Sequence, residues 1–194
     1  MSAATPDERP GSRHEAILEG LVGDARNDAS VVGFLVFGSV ARGTQRADSD
    51  IDVLTVLASG RAAAGIRNRM VDGIKVGDLY FTRSTLVESI DTVPYLLHPL
   101  AEAELLFDRD GSVGPLLVQL RAYFEEHPEI VDEWHAYTEQ LRAEKARYGY
   151  DKTTIVDVWN ELEARHSGGR IRRPFFSAFY FTNPRIFSLL KRLM

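Results

Sequence analysis

Residues 33–57 read GFLVFGSVARGTQRADSDIDVLTVL, and the position of the acids in this stretch decides the fold. Asp50 and Asp52 stand two apart in a run to Leu57 that otherwise reads as a buried strand. Residues i and i+2 of a strand share a face, so two carboxylates project side by side from the end of an apolar strand. Upstream, Val31 to Phe37 is apolar without alternation, the pattern of a strand buried on both faces, and it stops at Gly38-Ser39. Carboxylates this close repel each other, and burial sharpens the repulsion. A divalent cation relieves it. The glycine-serine turn beside such a cation suits phosphate. Gly38 admits a close approach to the backbone. Ser39 offers a hydroxyl at the mouth of a short helix, where free N–H groups and the dipole favour an anion. Arg42, three residues on, shares a helix face with Ser39.

Outward from this stretch, the periodicity predicts a helix over 13–28, with Ile17, Leu18, Leu21 and Val22 as its stripe. The Ala-rich segment 59–69 predicts another helix. Met70 to Phe81 predicts a hairpin turning at Asp72-Gly73. Ser84 to Ile90 predicts a short helix capped by Ser84, and Ala103 to Phe107 a fourth strand closed by the turn Asp108 to Gly111. Helices follow over 116–124, over 129–148 (Trp134, Tyr137, Leu141 and Tyr148 as its stripe) and over 152–166, with a break at His127-Pro128. The fold class expected is α/β in the α+β sense: a small mixed sheet flanked by helices, then a helical C-terminal region. The divisions are a lead-in over 1–12, a core over 13–112 and the helical region over 113–194.

Composition narrows the function. With 194 residues, 44% hydrophobic and 26% charged, the chain can bury a real core. No apolar run reaches the 18 residues or so of a membrane span, and the N-terminus lacks the pattern of a secretory signal. The absence of cysteine excludes disulfides and thiolate chemistry and is consistent with a cytoplasmic protein. A net charge of −5 argues against a general nucleic-acid binder. Residues 168–194 nevertheless carry Arg170, Arg172, Arg173, Arg185, Lys191 and Arg192 and no acid, so the rest of the chain is more acidic than the total shows. The five histidines, His14, His98, His127, His135 and His166, have no metal-ligand spacing. Gly38-x4-Gly43-Thr44 lacks the lysine of a phosphate-binding P-loop.

The wording Gly38-Ser39-x-Ala41-Arg42-Gly43, followed by Ser49-Asp50-Ile51-Asp52, resembles the polymerase-β-like nucleotidyltransferase superfamily, and in particular its minimal and aminoglycoside-type domains. The resemblance is close over about residues 30 to 58, looser to about 112, and does not cover the C-terminal third. It implies transfer of a nucleoside monophosphate, with ATP the favoured donor, from a Mg2+ complex to an acceptor hydroxyl. It implies two Mg2+ ions (or Mn2+) that clamp the attacking and leaving oxygens. Asp50 and Asp52 would be catalytic metal ligands, and Gly38, Ser39 and Arg42 would hold the triphosphate. The family adds a third acid from a neighbouring strand. The local match is Val76-Gly77-Asp78-Leu79, which makes Asp78 the expected third catalytic and metal-binding carboxylate; a shift of one residue would place Gly77 there instead. Four readings of the acceptor stay open: a small molecule, a partner protein as in nucleotidylating antitoxins, none, the domain only binding nucleotide, or RNA, which is disfavoured because only the terminal segment is basic. A homodimer is compatible with each.

Overall fold

The structure, a computed structural model, describes residues 10–59, 64–148 and 165. Its centre is a five-stranded sheet of β1 (Val31–Phe37), β2 (Ile51–Leu57), β3 (Ala64–Val71), β4 (Ile74–Thr82) and β5 (Glu104–Asp108), in the order β3-β4-β2-β1-β5. β2 and β4 run parallel; all other neighbours are antiparallel. The helices are α1 (Pro10–Asn27), the single turn α2 (Gly38–Ala41), α3 (Arg83–Thr92), α4 (Gly114–Glu126) and α5 (Pro128–Tyr148), with a 3-10 segment, Pro94–Leu100, between α3 and β5. The fold is therefore α+β, as the sequence predicts. Among the described residues no helix is long and apolar enough to cross a membrane.

Each face of the sheet has its own core, because β1 and β2 are apolar at both odd and even positions. On one face Ile17, Leu21 and Ala25, four residues apart along α1, pack on Phe34, Val36, Ile51, Val53 and Val76. On the other, Leu35, Leu54, Val56 and Phe81 meet Leu86 and Ile90 of α3, Leu97 of the 3-10 segment and Leu120 of α4. Two charged residues fasten the ends of the helices. The Arg109 guanidinium donates to the carbonyls of Val31, Arg26 and Asp28 at 2.8, 2.8 and 3.0 Å, closing the C-terminus of α1. The Asp108 carboxylate accepts from the N–H groups of Val113 and Gly114 at 3.1 and 2.9 Å, capping the start of α4.

Three local expectations are corrected. Residues 64–71 are not helix but the edge strand β3, each residue paired with β4 from Ala64↔Phe81 to Val71↔Ile74. The alanines favour a helix, but Asp72 and Gly73 take positive φ (48° and 78°), the two-residue hairpin turn that fixes this pairing. Ser84 does not cap α3: the Thr82 hydroxyl accepts from the Thr85 N–H at 3.3 Å. The last expected strand, observed as β5, is the fifth, because the hairpin contributes two. Of the expected helix over 152–166 only Arg165 is described; it is helical, and its guanidinium pairs with Glu133 at 2.7 Å. Residues 1–9, 60–63 (part of the expected helix over 59–69), 149–164 and 166–194, with the basic Phe-rich segment, lie outside the described residues, as do the side chains of Tyr137, Leu141 and Tyr148.

Thr82→Ala removes the cap and leaves the Thr85 N–H without its acceptor. The expected loss is about 1 kcal/mol, a fall in melting temperature of about 2–4 °C for a chain of this size, read by thermal unfolding.

Candidate active site

The site forms where β1 ends and β2 begins. Antiparallel pairing sets Phe37 opposite Asp52, so the turn that follows β1 lands beside the second carboxylate. Gly38 has φ of 71°, and a Cβ on it would lie 2.9 Å from Asp52 Oδ2. Glycine is required there twice over: for the positive φ and for the close approach to the acid. On the other side β4 brings Gly77 into register with Asp52, and a Cβ on Gly77 would sit 3.1 Å from Asp52 Oδ1. Two missing side chains thus leave both oxygens of Asp52 with room at their sides.

Asp50 lies in the loop just before β2. Lys75 Nζ pairs with its Oδ2 at 2.7 Å. The loop itself is tied down by His14 of α1, which is buried and whose Nε2 donates to the Ser49 carbonyl at 2.9 Å. Burial pushes the Asp52 carboxyl above its ordinary value, and the neighbouring Asp50 adds to the rise; Lys75 and Arg42 oppose it. A carboxylate held at a raised pKa by burial and by a second acid is a place where a cation is welcome.

That raised pKa has a sign for stability. The folded chain holds the Asp52 proton more tightly than the unfolded chain does. The stability it contributes is complete below the ordinary value of 3.8 and is lost as pH rises through the folded value. In chelator, Asp52→Asn is therefore expected to melt higher than the native protein at pH 7, and the gain to vanish below pH 3.8. A melting series from pH 3 to 8 reads this; a variant that melts lower than native at every pH would refute it.

Ser39 and Arg42 stand with Asp52 at the meeting of two cavities. The first, about 540 Å3, is polar and includes Ser39, Arg42, Thr44, Arg46, Asp50 and Asp52. The second, about 280 Å3, includes Phe37, Asp52, His98, Pro99, Trp134 and Glu102. They share Ser39, Arg42, Asp52 and His135. Arg42 is held by Glu102, Nη1 to Oε2 at 3.2 Å, and the other Glu102 oxygen lies 3.2 Å from His135 Nε2 of α5. Three segments distant in sequence thus meet through one carboxylate.

Of the expected site residues, the structure brings together Gly38, Ser39, Arg42, Asp50 and Asp52. It does not bring Asp78 to them. Asp78 pairs in register with Val53, not with Asp52, and neighbouring strands in register present their side chains to the same face. Asp78 therefore faces α1. There it accepts from Thr55 Oγ1 at 2.7 Å and pairs with Arg67 Nη2 at 2.8 Å. It lines a separate cavity of about 190 Å3 with Asp24, Asp28, Arg67 and Arg69. Burial raises its pKa, while Thr55 and Arg67 pull it back down. Gly77, not Asp78, is the residue of β4 in register with Asp52. Among the described residues no three His, Asp or Glu side chains gather as a metal cluster.

Sequence reasoning missed Lys75, Glu102, His98, Trp134 and His135 as neighbours of the site. Lys75 had a signal only through the β2–β4 register. Glu102 lies 60 residues from Arg42 and 33 from His135, and no local pattern joins them.

A solved structure of a nucleotidyltransferase-like protein from Exiguobacterium sibiricum 255-15 is 12% identical, with a TM-score of 0.44 over 79% of this chain and 63% of that one. This chain thus spans less than two thirds of that protein's length. No curated protein matches the chain. The nucleotidyltransferase domain model matches residues 18–113, from α1 to the turn before α4 and including every residue of the Gly38–Asp52 site. The chain thus carries, over residues 18–113, a domain of the nucleotidyltransferase domain family.

Proposed function

We propose that this domain moves a nucleoside monophosphate, with AMP favoured, from a metal-bound nucleoside triphosphate to a hydroxyl of a small-molecule acceptor. The observation that carries the reading is Asp52: mostly buried, raised in pKa beside Asp50, and flanked by Gly38 and Gly77 whose absent side chains leave its oxygens approachable. The donor set fits a hard divalent cation. Mg2+ takes one or two carboxylates and completes its shell with phosphate oxygens and water. Asp50 and Asp52 would hold it, and when bound it neutralises charge on the triphosphate. The set supplies carboxylates for one such ion. The second ion of a two-ion scheme has no third acid in register with Asp52.

Ser39 and Arg42 hold the triphosphate along the polar cavity, with Thr44 and Arg46 beside them. The acceptor oxygen attacks the α-phosphorus, the bond from that phosphorus to the bridging oxygen breaks, and pyrophosphate leaves with the electron pair. The hydroxyl proton passes to solvent or to a carboxylate of the cavity wall. Residues 13–112 supply the transfer core in this reading.

One observation favours a second reading. With Gly77 in register with Asp52 and Asp78 on the opposite face, the domain has the parts to bind a nucleotide without fast turnover. Calorimetric titration of ATP, GTP, CTP and UTP with Mg2+, followed by an assay of pyrophosphate release with candidate hydroxyl acceptors, separates the two. Magnesium-dependent binding with release supports transfer; binding without release from any acceptor supports the binding module. No binding to any of the four counts against both.

A further inference from the structure

We propose that the cavity beside Asp52 lined by Phe37, His98, Pro99 and Trp134 seats the base of the donor nucleotide, and that His98 selects a base presenting an N–H. The inference rests on the nucleotide-transfer reading of the site and names the part of the ligand that reading leaves open.

Three observations carry it. The first is continuity. The aromatic cavity and the polar cavity share Ser39, Arg42 and Asp52. In a nucleotide whose phosphate tail lies along Arg42, Thr44 and Arg46, the α-phosphorus lies at Asp52, and the sugar and base continue past it into the space walled by Phe37 and Trp134. At about 280 Å3 that space approaches the lower end of ligand pockets, about 300–1,000 Å3.

The second is the wall. The indole of Trp134 lies 4.3 Å from the imidazole of His98, centroid to centroid, with the planes at 53°. Flat rings around a small cavity suit a flat ligand, because any base has a face to stack.

The third is a polar atom without a partner. His98 is 2% exposed. Its Nδ1 donates to the Tyr95 carbonyl at 3.2 Å, so Nε2 carries a lone pair. That Nε2 is buried and accepts no hydrogen bond among the described residues. Burial also drives the pKa of the ring down to about 4, so near neutral pH it stays an acceptor and never a donor. Buried polar atoms are nearly always paired. Only an N–H or O–H completes this one, and the exocyclic amine of a purine or pyrimidine is such a group.

The test compares three ligands as magnesium complexes by calorimetry on the full chain: tripolyphosphate, ATP, and purine riboside 5′-triphosphate, whose base has no N–H. ATP is expected to bind at least about tenfold more tightly than tripolyphosphate, and about tenfold more tightly than the purine riboside analogue. Trp134→Ala is expected to reduce ATP affinity and leave tripolyphosphate affinity unchanged. His98→Leu is expected to erase the preference for ATP over the analogue. Tripolyphosphate also reports whether each variant is folded at the phosphate end; if His98→Leu fails that control, the native comparison and Trp134→Ala decide. Equal affinity for ATP and tripolyphosphate overturns the base subsite while leaving nucleotide transfer standing. Equal affinity for ATP and the analogue in the native protein overturns the role of His98. No binding of any of the three overturns the transfer reading, and the subsite with it.

Discussion

Asp52→Asn is expected to abolish magnesium-dependent nucleotide binding and to lower transfer by at least about 10²–10³-fold. The substitution keeps the shape of the side chain and removes one charge, so the loss isolates electrostatics. In the native protein that charge is held at the end of β2 against burial and against Asp50. Lys75 and Arg42, which oppose the rise, are themselves engaged with Asp50 and Glu102. A cation between Asp50 and Asp52 is what the arrangement lacks, and an amide attracts it far less. The same change is expected to stabilise the metal-free fold at neutral pH. Activity and stability should therefore move in opposite directions, which a merely damaged protein would not show. Pyrophosphate release and thermal unfolding in chelator, measured on one preparation, check the pair. A variant with activity near that of the native protein sinks the assignment of the site.

Gly38→Val is expected to be the most damaging single change in the turn. Its φ of 71° lies where a β-branched residue costs roughly 1–2 kcal/mol. Its Cβ would meet Asp52 Oδ2 at 2.9 Å, and that acid has little freedom to retreat, since Asp52 sits in the ladder between β1 and β4. The expected fall in melting temperature from the backbone alone is about 2–8 °C, accompanied by loss of nucleotide binding. Gly43→Ala is the control. Gly43 has nearly the same φ, 66°, but nothing lies within 4 Å of an added Cβ. It should show a comparable backbone penalty with nucleotide affinity intact. If Gly38→Val binds nucleotide as well as Gly43→Ala does, the close approach to Asp52 has no functional meaning.

The half of the site on β1 and β2 was legible because its information is local. Alternation within one strand tells which residues share a face, and a glycine at the end of an apolar run tells where the chain turns. Asp50, Asp52, Gly38 and Ser39 follow from those rules alone. Asp78 did not, because its face depends on how β4 aligns with β2, a partner 20 or more residues away and parallel. Nothing within Val76-Gly77-Asp78 states which of its residues will stand beside Asp52. β3 was missed for a related reason. Arg67, Asn68, Arg69 and Met70 are all exposed on an edge strand, so they carry no apolar period, and only the hairpin turn reveals the pairing. The aromatic cavity was illegible in the same sense: His98 read as one scattered histidine, and Trp134 as one member of a helix stripe. Their meeting is made by the packing of α5 on the 3-10 segment.

The alignment that places Gly77 next to Asp52 also bears on how such a site changes over generations. Every glycine codon is one nucleotide from an aspartate or a glutamate codon, so a single mutation at Gly77 sets a third acid beside the other two. Its first side-chain carbon would lie 3.1 Å from Asp52 Oδ1, so Asp52 must give by a few tenths of an ångström to admit it. Such a descendant would carry more negative charge than the present pocket and would depend more on its cation to remain folded. Gly38, fixed by both backbone and neighbour, is therefore more firmly anchored than Gly77, whose added Cβ asks only a small shift of Asp52.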